Sequence, residues 1–221
     1  MSEPTTLRER LRALETFPRP GLPSFDPAAV PATPHELFTA WLDEAISGGV
    51  QAPHATVLST ADVAGEVHAR AVILKDVTGA GWWFASQCSG PKGRDLEANP
   101  HAAMTFLWPR LGRQVKVTGT AGPADPAASR ADFLARPDAS RAAGLVNRQS
   151  EPLGSLAEYD AAFAAALAAV TADPGLVAPE WTAFVLAPTE VEFWQAPDDG
   201  PHIRLLYRET ETGWTTTLLW P

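Results

Sequence analysis

Arg70-Ala-Val-Ile-Leu-Lys75 is the stretch of this chain that decides its fold. Its apolar, β-branched interior predicts a buried strand, and a cation stands at each end of it. Arg and Lys are seldom fully buried without a partner, so we expect this strand to meet an anion. An edge strand with solvated charges would show the same pattern, and the stretch by itself leaves both interpretations open.

Short β-like runs surround this stretch. The connections between them are too short for repeated βαβ crossovers, which favours an antiparallel sheet or barrel over a parallel sheet. Strands are predicted over 55–60, 67–75, 82–85, 102–108, 114–120, 181–186, 190–194, 203–207 and 214–219. Helices are predicted over 7–14, 34–47, 89–97, 126–134, 140–145 and 156–172. The chain is therefore expected to be an α+β protein.

The predicted domain organisation is an arm followed by one domain. Residues 1–33 are expected to form an irregular N-terminal arm, because closely spaced prolines interrupt regular structure there. Residues 34–221 contain neither an internal repeat nor a long linker, which predicts a single domain. Its first helix has a predicted apolar stripe of Leu37, Trp41, Ala45 and Ile46.

Composition narrows the functional classes. The formal net charge of −9 argues against nucleic acid as a partner, because phosphate backbones need a basic face. Cys88 is the only cysteine, which excludes an intrachain disulfide, and the histidines show no metal-ligand spacing. Neither a signal peptide nor a membrane-spanning apolar run is recognisable, so a cytoplasmic protein with no metal site and no membrane partner is expected. The lysines, Lys75, Lys92 and Lys116, all lie in the half that carries the motifs, where they could gather around one anionic ligand.

Three further segments follow: Arg113-Gln-Val-Lys-Val-Thr-Gly119, Asn147-Arg-Gln-Ser150 and Glu192-Phe-Trp-Gln195. In this order and spacing the set resembles the pyridoxamine 5′-phosphate oxidase family of FMN-binding split barrels, from about Pro34 to the C-terminus. The resemblance implies an antiparallel split β-barrel with flanking helices, and a homodimer whose FMN sites are shared between chains. It also implies an oxidase that transfers a hydride from an amine or alcohol carbon to flavin N5, with O₂ as acceptor.

The resemblance assigns cofactor contacts to the strand and to the later motifs. It implies FMN contact by Arg70, Ala71, Val72, Ile73, Leu74, Lys75, Ala85, Ser86, Lys92, Gln114, Gln149, Ser150, Trp194 and Arg204. Of these, Gln149 and Ser150 would reach the flavin of the partner subunit. Simpler interpretations stand beside three of these roles. Lys75 could be a strand-end lysine that extends to solvent, Lys92 a solvated helix-terminal charge, and Trp194 an ordinary sheet aromatic.

Gln114 also has a simpler interpretation than a flavin contact, because polar and apolar residues alternate along the strand after Arg113. Period-two alternation predicts Gln114, Lys116 and Thr118 on one face and Val115 and Val117 on the other. A polar, outward-facing strand edge would produce the same pattern as a flavin contact.

The substrate side departs from the family pattern. The resemblance implies substrate contacts by Lys75, Arg136, Ser140 and His202, and a catalytic role for His202 and Arg204. Asp132 stands in place of the family's tyrosine, Gly200 in place of its substrate-contacting arginine, and Ile203 in place of its aspartate. Gly90 and Pro91 replace a serine and an arginine beside Lys92, which predicts weaker retention of FMN.

Several functions therefore stay open. The first is oxidation of pyridoxine or pyridoxamine 5′-phosphate, with poor activity expected. The second is an FMN-dependent oxidase of a different small molecule, such as a dihydrophenazine-like secondary metabolite. The others are a non-catalytic flavin-binding module, favoured by Asp132, Gly200 and Ile203, and a split barrel that holds a deazaflavin or haem, which Gln114 and the Gln149-Ser150 pair disfavour.

Overall fold

The computed structural model describes residues 6–17 and 20–221. Its helices are α1 (Leu7–Arg12), α2 (Pro34–Ser47), α3 (Pro91–Ala98), α4 (Pro126–Leu134), α5 (Asp138–Val146) and α6 (Leu156–Ala172). Its strands are β1 (Ala55–Ala61), β2 (Val67–Ile73), β3 (Asp76–Thr78), β4 (Gly81–Gln87), β5 (His101–Trp108), β6 (Arg113–Pro123), β7 (Trp181–Gln195), β8 (Ile203–Thr210) and β9 (Gly213–Leu218). Part of the predicted arm, residues 1–5 and 18–19, lies outside the described residues, and 20–33 contains neither helix nor strand.

The strands form one antiparallel sheet. Their order is β2-β1-β5-β6-β7-β4-β3, with β8 paired to β7 and β9 paired to β8. The first half of β7 pairs with β4 and the second half with β8, while β6 pairs along both halves. The sheet splits at this point and curls, which confirms the predicted α+β class and the split barrel.

The opening stretch closes this sheet. The predicted strand over 67–75 is wrong at its end, because β2 stops at Ile73 and β3 begins only at Asp76. Between them, the backbone N–H of Leu74 donates to His54 O at 2.9 Å, and that of Lys75 donates to Trp83 O at 2.8 Å. Strands β2 and β3 are the first and last in the strand order of the sheet. Leu74 and Lys75 connect them, so Lys75 lies where the barrel closes.

Another prediction is wrong at β7, where two expected strands over 181–186 and 190–194 form one. Pro188 lies between the two predicted strands, and proline cannot donate to a ladder. In the structure it pairs with Gly119 at a register shift between Thr118 and Gly119 of β6. A Cβ at position 119 would lie 2.8 Å from Pro188 Cα, so glycine is what allows the two backbones to approach.

Smaller differences concern helix ends. Helices α4 and α6 match their predicted bounds, whereas α3 begins at Pro91 rather than at residue 89, with Gly90 as its extended N-cap. Helix α5 extends beyond 140–145 at both ends. Within the described ranges, the helices include none that is long and apolar enough to cross a membrane.

The core lies on the inner face of the curled sheet under α2. Alternation on β6 is as predicted, since Val115 and Val117 are fully buried and Lys116 is exposed. Phe38 of α2 packs edge-on against Trp82 and Phe106, with ring centroids 5.4 and 4.8 Å away. Helix α2 is therefore fixed to the sheet through aromatic contacts.

Replacing Phe38 with alanine is expected to lower the free energy of unfolding by about 3–5 kcal/mol, the usual cost of removing a fully buried phenylalanine. Ile46, which the sequence placed on the same apolar stripe, is 58% exposed. Ile46→Ala on the same helix is thus the matched control and should cost well under about 1 kcal/mol. Urea denaturation of both variants measures the difference, and equal midpoints would contradict the packing described.

Candidate active site

A cavity of about 350 Å³ opens between β2, β4, helices α3 and α5, and the turn that connects α4 to α5. Nine of the residues singled out from the sequence line it: Ala71, Val72, Ile73, Lys75, Ala85, Ser86, Lys92, Arg136 and Gln149. Gln87, Ala143, Gly144 and Trp181 complete the wall, and sequence reasoning missed them. Gln87 lies two residues after the predicted strand over 82–85, but nothing in the sequence connects Trp181 with this site.

Lys92 is the buried cation of the cavity. It is the second residue of α3, only 8% exposed, and its Nζ donates to Ser86 Oγ at 2.7 Å and to Gln149 Oε1. Burial lowers the pKa of Lys92, and the nearby charge of Arg70 lowers it further. A buried ammonium with a hydroxyl and an amide beside it is a donor set suited to a phosphate. Lys92 is therefore not the solvated charge that the simpler interpretation described.

Gly90 makes this arrangement possible. A Cβ at position 90 would lie 2.7 Å from Gln149 Oε1, so a side chain here would push the amide away from Lys92. The resemblance implied that Gln149 and Ser150 reach the partner's flavin, but Gln149 contacts Lys92 of its own chain. Ser150 lies outside the main cavity and lines a neighbouring one.

Arg70 and Leu74 do not line the cavity. The guanidinium of Arg70 turns to the other side of β2, where Nη1 donates to Thr60 Oγ1 at 2.6 Å and Nη2 lies 3.5 Å from Asp95 Oδ2. Burial raises the pKa of Asp95, but hydrogen bonds from Thr60 and His68 and the charge of Arg70 outweigh burial and leave it lowered. The anion that Arg70 meets is thus Asp95, while Leu74 belongs to the apolar core.

A mixed-charge group lies where the cavity meets a neighbouring pocket, which is lined by Asp132 of α4 and shares Lys75 with the cavity. Lys75 Nζ lies 3.4 Å from Asp132 Oδ1, and Trp181 Nε1 donates to Asp132 Oδ2 at 2.8 Å. The Arg136 guanidinium stacks on the Trp181 ring at 3.9 Å. Its Nη1 is buried and has no hydrogen-bond partner among the described residues. Ser140 is half-buried on α5 and does not line this cavity.

A second cluster of predicted residues lies elsewhere on the sheet. Gln114, Trp194 and Arg204 are paired directly across β6, β7 and β8, and the Trp194 ring lies 4.6 Å from that of His202. Beneath them, Glu192 accepts hydrogen bonds from Arg204 Nε at 2.7 Å and Lys116 Nζ at 2.8 Å. These residues do not line the cavity around Lys92.

The two groups nevertheless share one face of the sheet. Register pairs Ala71 with Val57, Val57 with Thr105, and Thr105 with Lys116, and directly opposite residues point to the same side. Ala71 and Lys116 are therefore three strand-to-strand steps apart, a distance of about 14 Å. The exposed apolar side chains Val57 and Leu107 lie on the two strands between them.

Comparison with known proteins agrees with this architecture. The family model described as pyridoxamine 5′-phosphate oxidase matches residues 42–195, and one described as the pyridoxine 5′-phosphate oxidase C-terminal dimerisation region matches residues 181–221. A protein of Rubrobacter xylanophilus named pyridoxine/pyridoxamine 5′-phosphate oxidase is 37% identical over 188 residues, 85% of this chain and 87% of its own length. One of the same name from a Nocardioides species is 37% identical over 207 residues, 94% of this chain and 95% of its own length.

Among solved structures, PhzG from Burkholderia lata in complex with tetrahydrophenazine-1-carboxylic acid superposes with a TM-score of 0.84 at 26% identity, covering 94% of this chain and all of PhzG. An FMN-binding protein from Nostoc punctiforme shares the fold, with a TM-score of 0.70 at 18% identity over 86% of this chain and 98% of its own. The donor set around Lys92 fits an FMN phosphate on its own chemistry. The chain belongs to the pyridoxamine 5′-phosphate oxidase family of FMN-dependent oxidoreductases.

Proposed function

We propose that this chain is an oxidase that takes a hydride from a carbon bearing an amine or an alcohol and passes the electrons through FMN to O₂. The observation that carries the proposal is the cavity in which buried Lys92 meets Ser86 and Gln149 beside the β2 backbone. Membership of an oxidase family supports the reaction class.

Different residues along the cavity would bind different parts of FMN. Lys92 would neutralise the FMN phosphate, and Ser86 and Gln149 would donate to its oxygens. The β2 wall of Ala71, Val72 and Ile73 would leave a mainly apolar surface for the ring. FMN, once bound, supplies the hydride acceptor, its N5 atom.

A homodimer would complete the site. Gln114, Trp194 and Arg204 lie on the same sheet face as Ala71 but do not line the cavity around Lys92. A second copy seated on this face would cover exposed Val57, and its own second cluster could then reach the first copy's cavity. His202, next to Trp194, would arrive with it and orient the substrate.

Two substrate classes compete. The curated relatives are named for pyridoxine and pyridoxamine 5′-phosphate, whereas the PhzG structure contains a tetrahydrophenazine carboxylic acid. Asp132 favours the second class, because a carboxylate beside Lys75 opposes a phosphate. Poor turnover of the vitamin B6 phosphates is therefore expected.

The function is tested by anaerobic mixing of the FMN-loaded protein with candidate amines and alcohols, followed by exposure to O₂. Bleaching of the flavin and its recovery with stoichiometric H₂O₂ are the expected results. For pyridoxine 5′-phosphate, Asp132→Tyr should raise kcat/KM by roughly tenfold or more, since it removes a like charge and adds a donor. Asp132→Phe is the matched control, which removes the charge without the hydroxyl. Gly200→Arg would also strain the backbone, because Gly200 has φ +94°.

Unaltered protein that oxidises pyridoxine 5′-phosphate with a micromolar KM, as ordinary enzymes of central metabolism do, would make the specialised-substrate reading wrong. A flavin that no candidate reduces would instead favour a non-catalytic flavin-binding module.

A further inference from the structure

We infer that the substrate of this site carries a singly charged anion of the carboxylate type rather than a phosphate, because Asp132 cancels one of the two cations at its end of the cavity. The inference rests on the proposed function for where the substrate lies. Its content comes from the contacts of Asp132 and Arg136, which the family resemblance does not supply.

Asp132 is held in place on two sides. Lys75 Nζ lies 3.4 Å from Oδ1, and the indole N–H of Trp181 donates to Oδ2 at 2.8 Å. Asp132 lines a neighbouring pocket that shares Lys75 with the main cavity, and its side chain is only 18% exposed. A ligand that approaches Lys75 therefore meets a fixed negative charge beside it.

Arg136 is the cation at this end with unfilled hydrogen-bonding capacity. Its guanidinium carbon lies 3.9 Å from the Trp181 ring centroid, and Nη1 is buried without a partner among the described residues. Position 144 has to be small for this, since a Cβ on Gly144 would lie 2.9 Å from Nη1. A rigid, planar guanidinium with an unused donor is suited to a carboxylate.

The net charge of the side chains around Lys75 determines which ligand charge the site favours. Lys75 and Arg136 contribute two positive charges and Asp132 one negative charge, so one positive charge is left for the ligand. In the FMN-loaded protein Lys92 does not add to it, because under the proposed function its charge is taken up by the FMN phosphate, beside Ser86 and Gln149. A phosphate monoester carries about −1.5 to −2 near neutral pH and would bring excess negative charge against Asp132. A carboxylate matches the site.

Matched ligands separate charge from shape. Calorimetry on the FMN-loaded protein near neutral pH would compare 1-naphthoate, 1-naphthalenesulfonate and 1-naphthyl phosphate, which share one ring system. The carboxylate and the sulfonate should bind roughly tenfold or more tightly than the phosphate, because each carries a single charge. Asp132→Asn should shift this ratio towards the phosphate by roughly tenfold. Asp160→Asn, an exposed carboxylate on α6, should leave the ratio unchanged.

Three results would overturn the inference: a phosphate that binds best to the unaltered protein, a ratio that Asp132→Asn does not move, or a sulfonate as weak as the phosphate. If Asp132→Asn does not retain FMN, the inference is tested with Asp132→Ser and with the ratio of carboxylate to phosphate binding in the unaltered protein. Because the readout is binding, the ratio can hold even when no amine or alcohol is oxidised, so failure of the proposed function is seen separately.

Discussion

Lys92→Met should weaken FMN binding by roughly 100-fold, the effect of losing a charge-assisted phosphate contact from a buried position. The change removes the ammonium that contacts Ser86 and Gln149 while keeping an unbranched side chain of similar length in a buried place. Quenching of FMN fluorescence on titration into cofactor-free protein measures the dissociation constant. The released cofactor of unaltered protein, identified by mass, provides the reference of one FMN per chain.

Arg130→Met is the matched control for this change. Arg130 is exposed on α4, and among the described residues its side chain donates to Gly175 O alone. The substitution therefore removes one positive charge without touching the cavity. Its FMN affinity should stay within about twofold of the unaltered protein. If Lys92→Met binds FMN as well as Arg130→Met, the cavity around Lys92 does not hold the phosphate. Release of a deazaflavin or haem instead of FMN would contradict the cofactor assignment itself.

The second large effect is expected in hybrid dimers. Lys92→Met alters the cavity, and the double change Gln114→Ala, Trp194→Ala alters the second cluster, so homodimers of either variant should retain little FMN. A hybrid purified through two different affinity tags has one site in which both defects meet and one site in which neither occurs. It should therefore hold about one FMN per dimer, against two for the unaltered protein.

This result depends on the two clusters coming from different chains. If they met within one chain, every site of the hybrid would carry a defect and the hybrid would hold no more FMN than its parents. Full FMN binding by the Gln114→Ala, Trp194→Ala homodimer would also be decisive, since it would remove the second cluster from the site. If light scattering finds a monomer that holds stoichiometric FMN, the proposal that each FMN site is built from two chains is wrong.

Local patterns in the sequence predicted much of the fold. Alternation around Val115 and Val117 predicted the correct faces of β6, and turn residues bounded most strands. The errors have long-range causes. The strands predicted over 181–186 and 190–194 are one strand, because Gly119, far away in sequence, provides the bulge that accommodates Pro188. Ile46 fits the periodicity of α2, yet Phe38 occupies the core, because the curled sheet decides which part of a stripe is covered.

By itself, the sequence determined the α+β class, the order of the elements and the residue types of an anion-binding cofactor site. Only the tertiary structure decided which charges meet: Lys92 with Gln149, Lys75 with Asp132, and Arg70 with Asp95. The physical reason is that side-chain alternation fixes a residue's face within its strand, whereas its ion-pair partner depends on how distant strands and helices close around it. Lys75 shows this most clearly, since its strand ends two residues early to close the barrel and its charge is then shared with Asp132.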